Sequence, residues 1–490
     1  MILAIDQGTT GTHCLVFDPE GEPIGRAYRE FGQHFPRPGW VEHDAQEIWE
    51  VTQAVAHEAI ADAGLRPGDL QAVGVTGQRE TVFVWDPETG EPLHHAIVWQ
   101  DRRTAARCTE LREQGHGPLV RERTGLVLDP YFSATKIEWL LRNVDGLRDR
   151  ARSGRAMFGN VDAWLSFNLT GEALTDPSNA SRTMLFDLGA GEWDGELLEL
   201  FGIPERALPR IVPSSGELGK IGVLDGQHPQ LAGIAGDQQA ALFGQACVDP
   251  GLGKNTYGTG SFVLQNAGYA PPAAADGLLG TVAWGIGARR VYAVEASIFV
   301  TGAAVQWLRD GLGIIEQAAE TEQLAGSLDT NDGVYFVPAL TGLGSPHWDP
   351  RARGTIVGLT RGSTRAHLAR AALESIAYAT VDAVRAIESA CAVPLTELRA
   401  DGGATANRWL MQFQADMLDT PVRVPEISET TALGAAYLAG IGTGHWTIDE
   451  VSRTWRERSR YEPVMEAAER EALLADWHRA LERSREWSHE

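Results

Sequence analysis

Apolar residues open the chain at 2–5 and give way to the polar stretch Asp6-Gln7-Gly8-Thr9-Thr10-Gly11-Thr12. A second apolar run, 14–17, follows at once and ends in Asp18-Pro19-Glu20-Gly21. Short apolar runs bounded by Gly, Asp and Pro predict strand, polar loop, strand and turn. Similar strand signals recur at 70–76 and 81–85. From Gly251 the pattern partly repeats: Asn255-Thr256 leads into Tyr257-Gly258-Thr259-Gly260-Ser261 and the strand-like Phe262-Val263-Leu264. Two such strand–loop–strand units imply an internally duplicated architecture, with a boundary near Asp249-Pro250-Gly251. Leu368, Ala372, Ile376 and Ala379 fall at helical spacing behind Ser363 or Thr364 as N-cap. The charged segment 467–483 reads as a surface helix packed on the second half.

A length of 490 residues exceeds what one core serves, so two domains, 1–248 and 249–490, are expected. Lys and Arg number 42 against 66 Asp and Glu, a net charge of −24. That balance argues against nucleic acid or an anionic membrane as partner. The four cysteines, Cys14, Cys108, Cys247 and Cys391, show no CxxC spacing. Neither a disulfide framework nor a zinc site is expected, and a reducing compartment fits. The start, Met-Ile-Leu-Ala-Ile, lacks a basic region and is too short for a signal peptide. No apolar run is long enough to span a bilayer. A soluble, cytoplasmic protein is the expectation.

The chemistry begins at the two Gly/Thr loops. Phosphate binding needs backbone N–H groups aimed at one spot; glycine permits the approach and threonine adds hydroxyl donors. Either loop alone is equally well a hairpin turn, but the pair in matching strand contexts favours phosphate. Neither fits GxxxxGK[ST]. Asp6, beside the first loop, is a turn-capping residue or a carboxylate that holds Mg²⁺ through water. Leu398-Arg399-Ala400-Asp401-Gly402-Gly403-Ala404-Thr405-Ala406-Asn407 precedes a helix-like 408–418. It reads as an ordinary strand-to-helix turn or as an open backbone site for adenosine. Gln78-Arg79-Glu80 is a solvated ion pair or a polyol site, with Arg79 donating and Glu80 accepting. Asp237, after the apolar 231–236, is a helix N-cap or a general base for an attacking hydroxyl.

Longer stretches carry a resemblance. Pro38-Gly39-Trp40-Val41-Glu42-His43-Asp44, Gln78-Arg79-Glu80-Thr81, Ala96-Ile97-Val98-Trp99-Gln100-Asp101-Arg102-Arg103-Thr104 and Asn179-Ala180-Ser181-Arg182-Thr183-Met184 belong to it, as do the two Gly/Thr loops. Gly236-Asp237-Gln238-Gln239-Ala240-Ala241-Leu242-Phe243-Gly244, Gln306-Trp307-Leu308-Arg309-Asp310 and Met411-Gln412-Phe413-Gln414-Ala415-Asp416 complete it. Over nearly its whole length the chain resembles the FGGY carbohydrate kinase family, in particular its glycerol-phosphorylating members. The resemblance implies an α/β, actin/hexokinase-like (ribonuclease H-like) ATPase fold of two duplicated domains around a central cleft. It places glycerol among Arg79, Glu80, Trp99, Tyr131, Asp237, Gln238 and Phe262, with Asp237 as base and Asp6 as the Mg²⁺-linked aspartate. ATP contacts fall on Thr9, Thr10, Gly11, His13, Thr259, Gly302, Gln306, Gly403 and Asn407. The implied reaction is transfer of the ATP γ-phosphoryl to a primary hydroxyl, giving sn-glycerol 3-phosphate. Trp99 and Phe262 are expected to pack the carbon chain. A homodimer or homotetramer is expected.

Departures from the family pattern carry expectations of their own. His13 stands where arginine is usual near the phosphates, which points to weaker or pH-sensitive phosphate contact. Gly11 and Thr12 replace a Ser-Ser pair. Gly77 replaces an asparagine, which points to a looser acceptor pocket. Gly226-Gln227-His228-Pro229 lacks the Gly-rich, Arg-containing loop that binds fructose 1,6-bisphosphate in some members, so that control is not expected. Rival readings are a kinase for erythritol, threitol or a xylulose-type sugar, and a non-catalytic nucleotide sensor. Gln78-Arg79-Glu80-Thr81 disfavours the xylulose class, and an aspartate at 237 disfavours the sensor.

Overall fold

The computed structural model describes residues 1–223, 229–273 and 275–488. The expectation resting on Gly226-Gln227-His228-Pro229 lies largely outside them. Among these described residues thirteen strands form one sheet. In the first half these are β1 (Ile2–Gln7), β2 (Gly11–Phe17), β3 (Pro23–Glu30), β4 (Ala72–Gly77), β5 (Ser215–Lys220) and β6 (Gln230–Gly236). The second half supplies β7 (Leu252–Tyr257), β8 (Ser261–Gly268), β9 (Leu279–Ile286), β10 (Arg289–Ile298), β11 (Glu397–Gly402), β12 (Val422–Pro425) and β13 (Glu457–Tyr461). The helices used below are α1 (Ala45–Asp62), α2 (Ser133–Asn143), α3 (Val161–Thr170), α4 (Asp237–Gly244), α5 (Gly302–Gln306), α6 (Arg365–Cys391), α7 (Arg408–Leu418), α8 (Thr430–Gly442) and α9 (Ala467–Ser484).

Both halves repeat one arrangement. In β3-β2-β1-β4-β6 the first three strands are antiparallel neighbours and the next two add in parallel. The order β10-β8-β7-β11-β12 does the same. The halves join where β5 meets β9 through the single pairing Ser215↔Ile286. The polar loops at Gly8 and Gly258 follow β1 and β7, the equivalent central strands.

β1 reads as an unbroken apolar run because both its faces are covered. Leu3 and Ile5 point to a core with Ile48, Val55 and Ile60 of α1 and Trp164 of α3. Ile2 and Ala4 point to a core with Leu242 and Phe243 of α4 and Ala435 and Leu438 of α8. A third core gathers β7, β8 and β11 residues with α6, α7 and α9. The capping residue of α6 is Thr364, and α9 buries Leu474, Trp477 and Leu481.

Helices α4 and α8 meet backbone to backbone. A Cβ on Gly434 would lie 1.8 Å from the Ala240 carbonyl oxygen, and one on Gly244 would lie 2.0 Å from that of Thr430. No side chain fits there without separating the helices. Gly434→Ala is expected to destabilise by about 1–3 kcal/mol through overpacking. It should also lower activity, since α4 carries Asp237; thermal melts and turnover of the same preparation check both. An unchanged melting temperature would contradict the close contact.

Two expectations shift. The second strand begins at Gly11, not Cys14: the Thr12 hydroxyl donates to Gln7 Oε1 at 2.7 Å in the buried interior, so the strand absorbs part of the polar stretch. Position 77 is not open either. A Cβ on Gly77 would sit 2.7 Å from the Gln7 carbonyl oxygen and 3.1 Å from Val161 Cγ1, so glycine lets β4 pack tightly and loosens no pocket.

Candidate active site

β4 leads directly into the site. Gln78 donates its N–H to the Gln7 carbonyl (2.9 Å), continuing the ladder past the strand end. The chain then reverses: Thr81 N–H bonds the Arg79 carbonyl at 2.8 Å, and Glu80 adopts φ +62°. A left-handed glutamate is strained and persists only where its surroundings hold it. Lys136 of α2 does so. Its buried Nζ donates to the carbonyls of Glu80 (3.1 Å), Tyr131 (2.6 Å) and Phe132 (3.3 Å). Burial is the largest influence on this ammonium and lowers its pKa to about 8, against the pull of Glu80.

Arg79 and Glu80 are no solvated pair; they are 3% and 1% exposed. Arg79 donates through Nη1 (2.5 Å) and Nη2 (3.3 Å) to both oxygens of Glu295, and through Nη1 to Gln239 Oε1 (3.3 Å). Arg182 donates Nε to Glu80 Oε1 (2.7 Å) and Nη2 to Glu295 Oε1 (3.1 Å). Two guanidinium and two carboxylate groups thus neutralise one another in the interior, which is what buried charge requires. Burial drives the Glu295 carboxyl upward, but the Arg182 and Arg79 charges outweigh it and hold it at about 2.

Arg79 Nε faces Asp237 Oδ1 at 3.1 Å. Asp237 opens α4, its Oδ1 also accepts the Gln238 N–H at 2.7 Å, and its side chain stays 29% exposed. Glu80 and Asp237 are therefore each anchored through one oxygen. Among the described residues no hydrogen bond is made to Glu80 Oε2 or Asp237 Oδ2. These two oxygens are free to accept hydroxyl groups. Lys254, buried on β7, donates to Gln238 Oε1 and to Thr256 Oγ1 (2.8 Å), and among the described residues the Gln238 amide NH₂ makes no hydrogen bond.

Asp6 stands on β1 at the edge of the same space. Burial, and next the Asp237 charge, push its carboxyl up to about 7. A partly covered carboxylate that repels a second carboxylate is suited to a cation, and it is where a divalent ion would be held. Among the described residues no cluster of three or more His, Cys, Asp and Glu forms a cage of its own. Phosphate oxygens and water would have to complete the coordination.

Aromatic side chains form the apolar wall. Trp99 meets Tyr131 edge-on at 5.5 Å between centroids, and its Nε1–H donates to Thr9 Oγ1 at 3.0 Å. The Arg79 guanidinium lies 6.0 Å from the Phe262 ring, and that of Arg182 lies 5.8 Å from Tyr131.

The loops behave alike. Gly8 N–H bonds the Gly11 carbonyl (3.0 Å) and Gly258 N–H bonds the Gly260 carbonyl (2.8 Å), leaving Thr10 and Thr259 exposed at the tips. Gly302 N–H reaches the Gly258 carbonyl (3.1 Å), and a Cβ on Gly302 would strike that oxygen at 2.5 Å. The start of α5 is thereby packed on the second loop, with Gln306 exposed at its end. Gly402 takes φ +89° against the Tyr257 carbonyl and leads to the exposed Gly403. Asn407 caps α7 by accepting the Leu410 N–H (2.9 Å) and donates to Thr321 Oγ1 (3.2 Å). No hydrogen bond or ring contact among the described residues joins Gly403, Asn407 or Gln306 to the Arg79–Asp237 group. Gly11 lies within β2 under Tyr28, whose hydroxyl a Cβ would meet at 2.6 Å. His13 pairs across the strands with Asp6 and with Tyr28, and burial holds its imidazole below its ordinary pKa.

Four charged residues that bind the candidate site residues, Glu295, Arg182, Lys136 and Lys254, went unassigned in the sequence. Glu295 carried a signal, a lone carboxylate inside the apolar run of β10. Arg182 lay within a recognised motif without a role. Lys136 and Lys254 sit among ordinary helix and strand residues and carried none.

The profile of the FGGY family of carbohydrate kinases matches this chain twice, its N-terminal domain over residues 1–244 and its C-terminal domain over 253–443. Glycerol kinase 2 of Thermotoga maritima is 54% identical over 490 residues, covering 99% of each chain. Glycerol kinase of Trichlorobacter lovleyi is 56% identical over 491 residues, with the same coverage. Among solved structures, Plasmodium falciparum glycerol kinase with ADP superposes with a TM-score of 0.94 at 35% identity, covering 99% of this chain and 98% of that one. With both halves matched in order and relatives similar from end to end, the chain belongs to the FGGY family of carbohydrate kinases.

Proposed function

We propose that the protein phosphorylates glycerol with ATP, giving sn-glycerol 3-phosphate. The observation that carries the acceptor site is the anchoring of Asp237: Arg79 holds Oδ1 and Oδ2 is left for a hydroxyl proton. Glu80 Oε2 and the Gln238 amide NH₂ offer an acceptor and a donor to the other hydroxyls, while Trp99, Tyr131 and Phe262 cover the carbon chain. Full-length similarity to enzymes named glycerol kinase supports glycerol over other polyols.

In the reaction, a primary hydroxyl loses its proton to Asp237 as its oxygen bonds the γ-phosphorus, and ADP leaves in line. Thr9, Thr10 and the Gly8 loop, with Thr259 and Gly302, present donors to the phosphates. Gly11 supports the first loop from within β2. Adenosine lies along Gly403 and Asn407, with Gln306 at the rim. Magnesium held beside Asp6 would shield phosphate charge. His13, beside the first loop on β2, is the further candidate for phosphate contact, with burial pulling its imidazole below its ordinary pKa.

The halves 1–248 and 249–490 are taken as the two domains. Among the described residues no helix is long and apolar enough to cross a membrane. A cytoplasmic homodimer or homotetramer remains the reading, which sedimentation of the purified protein tests.

ADP release over a panel of glycerol, erythritol, threitol and xylulose tests the acceptor. Glycerol should lead in kcat/KM by roughly ten- to a hundredfold, since each mismatched group leaves buried polar atoms unpaired. A higher kcat/KM for xylulose would replace this reading with the sugar kinase alternative.

A further inference from the structure

Glu295 is fully buried in β10, between Val294 and Ala296 and opposite Leu264 and Leu279. A carboxylate in such a strand is costly unless it is paired. It cannot touch substrate, because none of its surface is open. It touches instead the far ends of both arginines that reach the acceptor site, taking Arg79 through two bonds and Arg182 through one. The bidentate contact fixes the plane of the Arg79 guanidinium. With both η nitrogens on Glu295, Nε is left to face Asp237 at 3.1 Å. Arg182, held likewise, keeps its Nε on Glu80 Oε1 at 2.7 Å.

We propose that Glu295 is the positioning residue of the acceptor site, a single anchor that orients both Asp237 and Glu80 through the two arginines it binds. The anchor comes from the second half of the chain, and every group it orients comes from the first. Formation of the acceptor site therefore requires the two halves to be docked. The inference rests on the glycerol-phosphorylating reading above.

The test compares wild type, Glu295→Gln, Glu295→Asp and the double variant Arg182→Met/Glu295→Gln, using full-length protein. Glutamine keeps the shape but cannot hold two guanidinium groups. A small misplacement of reacting groups costs about a hundredfold in rate, so Glu295→Gln should lose kcat by about that factor with the KM for ATP within about twofold. Glu295→Asp keeps the charge one methylene short and should show a smaller loss of the same kind. The double variant removes one charge of each sign, so it should melt closer to wild type than Glu295→Gln while its kcat stays low. A fall in kcat for folded Glu295→Gln, assayed well below its melting temperature and with the KM for ATP held, is what a merely structural glutamate would not produce; the double variant, which also lacks the arginine that holds Glu80, reads only the charge balance. Wild-type kcat in Glu295→Gln overturns the proposal. Should that variant not fold, wild-type kcat in Glu295→Asp overturns it equally. Failure of the wild type to phosphorylate glycerol would instead sink the underlying reading.

Discussion

Asp237→Asn should lower glycerol turnover by about a thousandfold, within the range for loss of a general base, and leave nucleotide binding near that of the wild type. Asparagine keeps the volume, and its amide oxygen can still accept the Gln238 N–H and face Arg79 Nε. What it cannot do is take a proton as the hydroxyl attacks. The side effects are small by comparison. Asp237 opens α4, where a negative charge is worth about 0.3–1 kcal/mol, and α4 keeps its buried contacts with α8. Arg79 loses one charged partner but keeps both bonds to Glu295. Single-turnover measurements with saturating ATP and glycerol read the chemical step, and calorimetric titration of ADP reads the nucleotide site. Turnover within about tenfold of wild type would remove Asp237 from the role of base. A loss confined to the KM for glycerol would make it a binding group only.

The sequence carried the frame of this site better than its interior. Loops at Gly8 and Gly258 were visible because glycine and threonine clustered after short apolar runs serve few purposes besides turns and phosphate binding, and the structure sets them at equivalent ends of β1 and β7. Arg79-Glu80 was visible as a charged pair at a strand end, but its bland reading, a solvated pair, could not be dismissed from adjacency alone. The burial that decides against it comes from distant partners. Lys136 stands 56 positions from Glu80, Arg182 stands 102 from it, and Glu295 stands 216 from Arg79. Long-range ion pairing leaves no periodicity to read. The same limit explains Gly77 and Gly11. Each was read against what stands in relatives, whereas the reason for glycine at each is a packed neighbour, Gln7 on the adjacent strand and Val161 of α3 for one and Tyr28 on the adjacent strand for the other.

Arg182→Met should be the most destabilising single change near the site, at about 3–5 kcal/mol, the usual cost of breaking a buried pair from one side. Arg182 is fully buried, donates to Glu80 and Glu295, and lies 5.3 Å from the Phe132 ring. Methionine fills much of the volume, so the cost is chiefly electrostatic: two buried carboxylates are left to share Arg79. The melting temperature should fall by on the order of 10 °C. The pH dependence gives the signature. In the wild type Glu295 is held at about 2, below its ordinary value of 4.5, so its contribution is present above the ordinary value and lost as pH falls through the lower one. Without Arg182 the effect of burial on both carboxylates is less opposed, and their folded-state values rise. The deficit of the variant should then be larger at pH 8 than at pH 5, where protonation relieves the mismatch. Arg182→Met/Glu80→Gln, which restores charge balance, should recover part of the lost stability and none of the activity, since the carboxylate at position 80 is replaced by an amide that Arg182 no longer orients. Thermal melts of both variants across pH test this, and a deficit independent of pH would mean that Arg182 matters for packing rather than charge.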